Sequence, residues 1–260
     1  MVPVCIQTRG LTKRYGDFVA VDKLDLDVYG GEIFGFLGPN GAGKTTTIRM
    51  LCGMLLPTSG SARVVGYDVQ REPRQVKRRI AYVPDQPTLY PKLNAWEFLD
   101  LIGDLWQMDR REAQQRSQAL LELFELTDAA NDRLEGYSHG MKQKIALAGA
   151  LLHRPEVIFL DEPMVGLDPK SARLLKEVMR RLAKEGVAVF FSTHILEVAE
   201  QLCHRVGILK AGHLIACGTL EELRRTRGQA EESLEDLFLE LTGSSEERDI
   251  IAALKGSSQP

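Results

Sequence analysis

No apolar run in this 260-residue chain approaches the roughly 18 residues needed to cross a bilayer. Ile145 to Leu152 is among the longest, so any role at a membrane has to be borrowed from a partner. Cysteine is scarce: Cys5, Cys52, Cys203 and Cys217 form neither a C-x-x-C pair nor a metal-ligand spacing, and reduced thiols are the expectation. There is no basic excess either. A net charge of −3 gives no global attraction to nucleic acid. Residues 1–14 lack a signal-peptide pattern, because Arg9, Lys13 and Arg14 follow the short run Met1 to Ile6 too closely.

What remains is ordinary for a soluble globular chain: 44% hydrophobic and 27% charged residues, with 23 Gly and 11 Pro. A chain of this length buries about 70–75% of its unfolded surface without staples. The most informative stretch is residues 33–49. Ile33 to Leu37 reads as a buried strand that breaks at Gly38, and a helical pattern resumes after Lys44, running to about Leu55 before the turn Pro57-Thr58-Ser59-Gly60. Gly38, Pro39, Asn40, Gly41, Ala42, Gly43, Lys44, Thr45 and Thr46 contain the phosphate-binding pattern G-x-x-x-x-G-K-[ST]. Glycines let successive amides converge on an anion, and the helix opening at Gly43 adds its positive end. Lys44 reaches toward outer phosphates, and the Thr45 hydroxyl suits Mg²⁺.

On either side the pattern alternates. Residues 4–9 and 19–29 read as strands joined by a hairpin loop at Tyr15-Gly16-Asp17, and Ser61 to Val65 and Ile80 to Val83 read as further strands. The basic stretch 70–79 reads as a solvated helix face. From 92 to about 152 the chain turns helical: Asn94 with Glu97 forms a capping box, Trp96, Leu99, Ile102 and Trp106 fall at core spacing, and a further helix begins near Ser138. Strand–helix alternation then returns, implying parallel pairing: a strand from Val157 to Leu160, a helix from Asp168-Pro169 to about Glu185, a strand from Val187 to Phe191, a helix from Ile195 to Leu202 and a hairpin about Ala211-Gly212. Thr219 with Glu222, and Ser233 with Asp236, open two more helices, and residues 244–260 read as a frayed tail.

Asp161 and Glu162 end an apolar strand, at the carboxyl edge of a parallel sheet where ligands bind. They can divide the work, with Asp161 holding Mg²⁺ through its water shell and Glu162 orienting or deprotonating the attacking water. His194 ends the next strand at the same edge.

Together these motifs make the chain similar to the ATP-binding subunit of an ABC transporter of the ABC-2 export type, over roughly residues 4–242. Gly38 to Thr46 resembles the family's Walker A, residues 137–144 its signature segment, Ile158 to Pro163 its Walker B, Gly166-Leu167-Asp168 its D-loop, and Ser233 to Gly243 the close of ABC-2 ATPases. The resemblance implies an α/β fold: a P-loop NTPase core with a mainly parallel sheet, an N-terminal antiparallel β subdomain and a helical subdomain inserted at about 92–152. It implies one domain over 1–243, with Glu162, His194 and Lys44 catalytic. Tyr15 falls where the family stacks a ring on adenine, and Ser138 and Gly140 where it touches the γ-phosphate. Thr45, Asp161 and the metal-sensing position complete the Mg²⁺ set; Asp85 occupies that position with Gln86 one residue on, and either fits. The signature departs from Leu-Ser-Gly-Gly-Gln at Tyr137, His139 and Met141.

The implied activity is ATP hydrolysis powering a separate integral-membrane permease, with two cassettes, identical or different, closing head to tail on ATP. The implied place is the cytoplasmic face of the membrane, touched through the permease only, with no nucleic acid bound. Two alternatives are a soluble ABC-type ATPase of DNA maintenance or translation and a nucleotide sensor that does not hydrolyse. The single phosphate loop and the absence of sustained heptads and of basic charge oppose the first, and the presence of both Glu162 and His194 opposes the second.

Overall fold

Alternate residues of the central strands feed two different cores, and this sets the architecture. A computed structural model describes residues 2–225 together with Leu234, Glu235, Phe238, Leu239 and Gly243. Its main sheet has the order β10-β9-β3-β8-β7-β6. The strands are β3 (Ile33–Leu37), β6 (Ile80–Val83), β7 (Val157–Asp161), β8 (Ala188–Thr193), β9 (Arg205–Lys210) and β10 (His213–Gly218). All are parallel except β10, which pairs antiparallel with β9. Every residue of β3, β7 and β8 is buried, as expected of strands covered on both faces.

On one face, Phe34, Phe36, Phe159 and Phe190 join the core under the antiparallel sheet. Phe34 and Phe190 stack with centroids 5.5 Å apart. That second sheet has the order β2-β1-β4-β5, from β1 (Val4–Tyr15), β2 (Phe18–Tyr29), β4 (Ser59–Val64) and β5 (Tyr67–Asp68). The helix α1 (Lys44–Leu51) also packs here. On the other face, Ile158, Leu160, Val189 and Phe191 pack under α3 (Ala95–Leu105), α4 (Arg110–Leu123), α5 (His139–Leu151) and α6 (Pro169–Lys184). A third cluster gathers Leu37, Val206 and Ile208 with α7 (Leu196–Leu202), α8 (Leu220–Arg225), Leu234 and Phe238.

Several boundaries differ from the sequence expectation. α1 stops at Leu51, not near Leu55, because Cys52 caps it and Gly53 turns the chain. β1 continues through Tyr15, carried past its register shifts by pairing with β2 and β4. Val65 and Gly66, both at positive φ, make a tight turn into the unanticipated β5. The basic stretch forms only the short α2 (Pro73–Lys77), whose Val76 is buried. Trp106 caps α3 at 39% exposure rather than filling the core. The capping box is present: Glu97 N donates to Asn94 Oδ1, and Asn94 N donates to Glu97 Oε2. The helix expected from Ser233 and the tail 244–260 lie outside the described residues, apart from the five named above.

Parallel pairing brings four strand ends to one edge. Leu37 pairs with Thr193, Asp161 with Ser192 and Val83 with Leu160. The loops carrying Gly38, Glu162, His194 and Asp85 therefore leave the sheet side by side.

At the opposite edge, His153 is tied to Ile80: Nε2 lies 2.9 Å from the Ile80 carbonyl and so carries the hydrogen. Burial, the largest cause, holds this imidazole below its ordinary value of 6.5. The unfolded chain therefore takes up a proton that the fold refuses. Its contribution to stability is complete above about 6.5 and declines as pH falls through that value toward the lower folded one. His153→Gln, which keeps a donor but does not titrate, is expected to flatten this part of the stability–pH curve in urea titrations.

Candidate functional site

The loop between β3 and α1 is glycine-bound for steric reasons at two points. A Cβ on Gly38 would stand 2.5 Å from the Leu209 carbonyl. One on Gly43, at φ +109, would stand 2.3 Å from the Ala20 carbonyl. Both obstacles are backbone and cannot swing away. The loop is also braced by the β9–β10 turn: Gly212 N donates to Ala42 O at 3.0 Å, and Asp22 N donates to Gly212 O at 2.9 Å. Gly43 is the N-cap of α1 and supplies no side-chain cap, and the first turn holds no acid. Its first amides and the positive end of the helix dipole are thus left for an external anion.

Lys44, 6% exposed, donates from Nζ to Gly38 O at 2.7 Å and to Pro39 O at 3.3 Å. The same Nζ lies 3.2 Å from Glu162 Oε1, across from the end of β7. That oxygen is buried yet accepts no aligned hydrogen bond, so the pair is held by charge and proximity. The other carboxylate oxygen, Oε2, accepts from His194 N at 3.3 Å and lies 3.0 Å from His194 Nδ1. The structure thus brings Lys44, Glu162 and His194 into one cluster. Glu162 sits at φ +48, a left-handed conformation unusual for a non-glycine residue.

Ser192 explains how that conformation is held. Fully buried in β8, its Oγ donates to Asp161 Oδ1 at 2.6 Å and accepts from Glu162 N at 3.0 Å. One hydroxyl thus holds the Asp161 carboxylate and the Glu162 backbone. The sequence reading gave this residue no role. Its signal was a polar side chain closing the otherwise apolar run Ala188 to Phe191, two residues before His194.

The oxygen donors near the loop suit a hard cation. Asp161 is buried at 3% exposure, and the half-buried Thr45 belongs to the first turn of α1. Mg²⁺ keeps several waters and takes few protein ligands besides phosphate oxygens, so a hydroxyl and a carboxylate are a fitting set. Among the described residues no cluster of three His, Cys, Asp or Glu side chains could hold a metal alone. Asp85 and Gln86 lie exposed in the bend after β6. Among the described residues, neither is hydrogen-bonded to Asp161.

Other expected residues stand apart from this cluster. Tyr15 is 51% exposed at the β1–β2 turn, with Lys13 Nζ 5.1 Å from its ring centroid. Ser138 is exposed and caps α5, accepting from Met141 N at 3.3 Å. Tyr137 is buried at 4%, with its hydroxyl donating to Ala129 O at 2.8 Å, so the ring fills a core position and its polar tip is satisfied. Gly140 faces the start of α6, where a Cβ would meet Asp168 Oδ2 and Ser171 Oγ, each at 3.7 Å.

The ABC transporter family matches residues 21–165. A linearmycin resistance ATP-binding protein of Bacillus subtilis (strain 168) is 37% identical over 250 residues, covering 96% of this chain and 78% of its own. A daunorubicin/doxorubicin resistance ATP-binding protein of Streptomyces peucetius is 41% identical over 223 residues, covering 86% of this chain and 68% of its own. Among solved structures, an ATP-binding subunit of an ABC transporter superposes with a TM-score of 0.86 at 34% identity, covering 91% of this chain and 99% of that one. A dimeric ATP-binding cassette in a post-hydrolysis state with ADP and Pi gives 0.76 at 27% identity, covering 83% and 98%.

Removing the Ser192 hydroxyl leaves the buried Asp161 Oδ1 and the part-buried Glu162 amide short of a partner. Ser192→Ala is therefore expected to cost about 2 kcal/mol of stability, as buried polar groups do when orphaned. Urea denaturation against wild type measures this.

Proposed function

This chain belongs to the ABC transporter family, and we propose that Lys44, Glu162 and His194 are the groups with which it hydrolyses ATP. The chain is an ATP-binding and ATP-hydrolysing subunit that powers a membrane transporter, within an α/β cassette fold. The observation that carries the site assignment is the cluster itself, a buried ammonium beside a carboxylate whose second oxygen is held by a histidine. Residues 1–243 are taken as one domain, with 92–152 as its helical part.

In this reading the β- and γ-phosphates lie on the amides of Gly41 to Thr46, and Lys44 turns its ammonium from the Gly38 and Pro39 carbonyls to the outer phosphate oxygens. Tyr15 stacks on the adenine. Glu162, freed from Lys44 by that exchange, offers Oε1 to the attacking water, while His194 fixes Oε2 and so the direction of the carboxylate. Thr45 and Asp161 would hold Mg²⁺, joined by Asp85 or Gln86, and the ion would neutralise charge developing on the phosphates. Ser138 and Gly140, outside the Lys44 cluster of their own chain, serve the nucleotide of a facing cassette, identical or different. The positive end of α5 suits the γ-phosphate there. ATP then favours the closed pair by differential binding, and its hydrolysis removes the bridge.

The helical block 92–152 and the loop 85–91 are the parts that would carry motion to the permease; within that block Leu105 is 65% exposed and Trp106 39%. No helix among the described residues is long and apolar enough to cross a membrane. The work is accordingly assigned to the cytoplasmic face, through the permease. The transport relatives weigh against a DNA-maintenance or translation role.

Glu162→Gln is expected to keep ATP bound while turnover falls at least about 100-fold, the scale of losing a general base. Phosphate release on the purified protein measures it, and unchanged turnover would remove Glu162 from the mechanism. Lys44→Ala is expected to weaken ATP binding by about tenfold or more, the size of a lost charge-assisted contact. Titration with a fluorescent ATP analogue is the check.

A further inference from the structure

His139 stands where the family's usual signature carries glycine, and its ring is not idle. Nε2 lies 3.2 Å from the Val165 carbonyl. A carbonyl can only accept, so this nitrogen carries the hydrogen. Gly166 makes room for the ring. It sits at φ +73, and a Cβ there would lie 3.1 Å from His139 Cδ2 and 3.2 Å from Nε2. Val165 then donates its own amide to the Glu162 carbonyl at 3.2 Å. Two successive hydrogen bonds therefore run from the first residue of α5 to the backbone of Glu162, the residue held at φ +48. Both ends are anchored: α5 buries Ile145, Leu147 and Ala148 in the helical core, and the Glu162 amide is bonded to Ser192.

We propose that His139 is a positioning residue for hydrolysis. Through the Val165 carbonyl it ties the signature segment to the Glu162–Val165 turn of the same chain, so that displacement of α5 is transmitted to the direction of the Glu162 carboxylate. The proposal rests on the reading of Glu162 as the group that orients water. A rival role for the same ring is direct contact with the nucleotide of a facing cassette. The two differ in kinetics. A positioning bond acts on turnover, whereas a nucleotide contact acts on KM.

The test uses the full chain, with steady-state Mg-ATP hydrolysis and thermal melting on each variant. His139→Ala is expected to lower kcat about fivefold with KM within about twofold of wild type, the effect of one lost hydrogen bond felt in the transition state. His139→Gln extends an amide nitrogen to a similar reach and is expected to restore kcat to within about twofold, while the shorter His139→Asn is not. Wild-type kcat in His139→Ala overturns the proposal, as does a His139→Gln variant as slow as His139→Ala. A raised KM at unchanged kcat overturns it in favour of the nucleotide contact. His139 is exposed, so melting temperatures are expected to stay near wild type. Glu162→Gln, measured in parallel, separates the two failures. If it turns over normally, the reading of Glu162 fails; if it is inactive while His139→Ala is unimpaired, only the tie from His139 fails.

Discussion

The ammonium of Lys44 is the constraint on which the site depends. A cation buried to this degree must be compensated, and it is met by two backbone carbonyls from its own loop and one carboxylate from the neighbouring strand end. That requirement fixes the curl of residues 38–43. It also draws Glu162 over the loop, against the ordinary preference of its backbone. The carbonyl bonds and the ion pair are the kind of contacts a triphosphate can replace, since it brings more negative charge to the same point. In the proposed mechanism Glu162 would then be released as the nucleotide arrives.

The frame that allows this is the parallel sheet. Its central strands are apolar on both faces, so neither face can be left in water, and the chain covers one with an antiparallel sheet and the other with helices. With both faces occupied, polar groups are left the sheet's carboxyl edge. Ser192 is buried at that edge beside Asp161 and Thr193, and it is tolerated because both of its hydrogen-bonding roles are filled.

Much of this was legible in the residues. The phosphate loop, the acid pair after β7 and the histidine after β8 are ordered motifs at the ends of apolar runs, and parallel pairing follows from the alternation of strands and helices. The capping box of α3 was likewise readable from Asn94 and Glu97. What the sequence hid depends on contacts distant along the chain. Nothing local to Tyr137 says that its hydroxyl reaches Ala129, nor does anything local to Ser192 say that it bonds Asp161 and the Glu162 amide at the end of β7. Apolar spacing continues to Leu55, whereas the cap at Cys52 and the turn at Gly53 end α1 at Leu51. Trp106 shows a related limit: helical spacing marks a face, but the residue that caps a helix can leave that face and lie against a neighbour, here His153 at a centroid distance of 4.6 Å.

The brace between the β9–β10 turn and Ala42 has a consequence for how the protein comes into being. The letters of the phosphate loop emerge from the ribosome early, but Leu209 and Gly212, which press and bond it into shape, are translated only after the helical block and most of the main sheet. A nascent chain therefore carries the loop without its clamp for most of its synthesis. The loop's brace is thus among the last contacts the growing polypeptide can make.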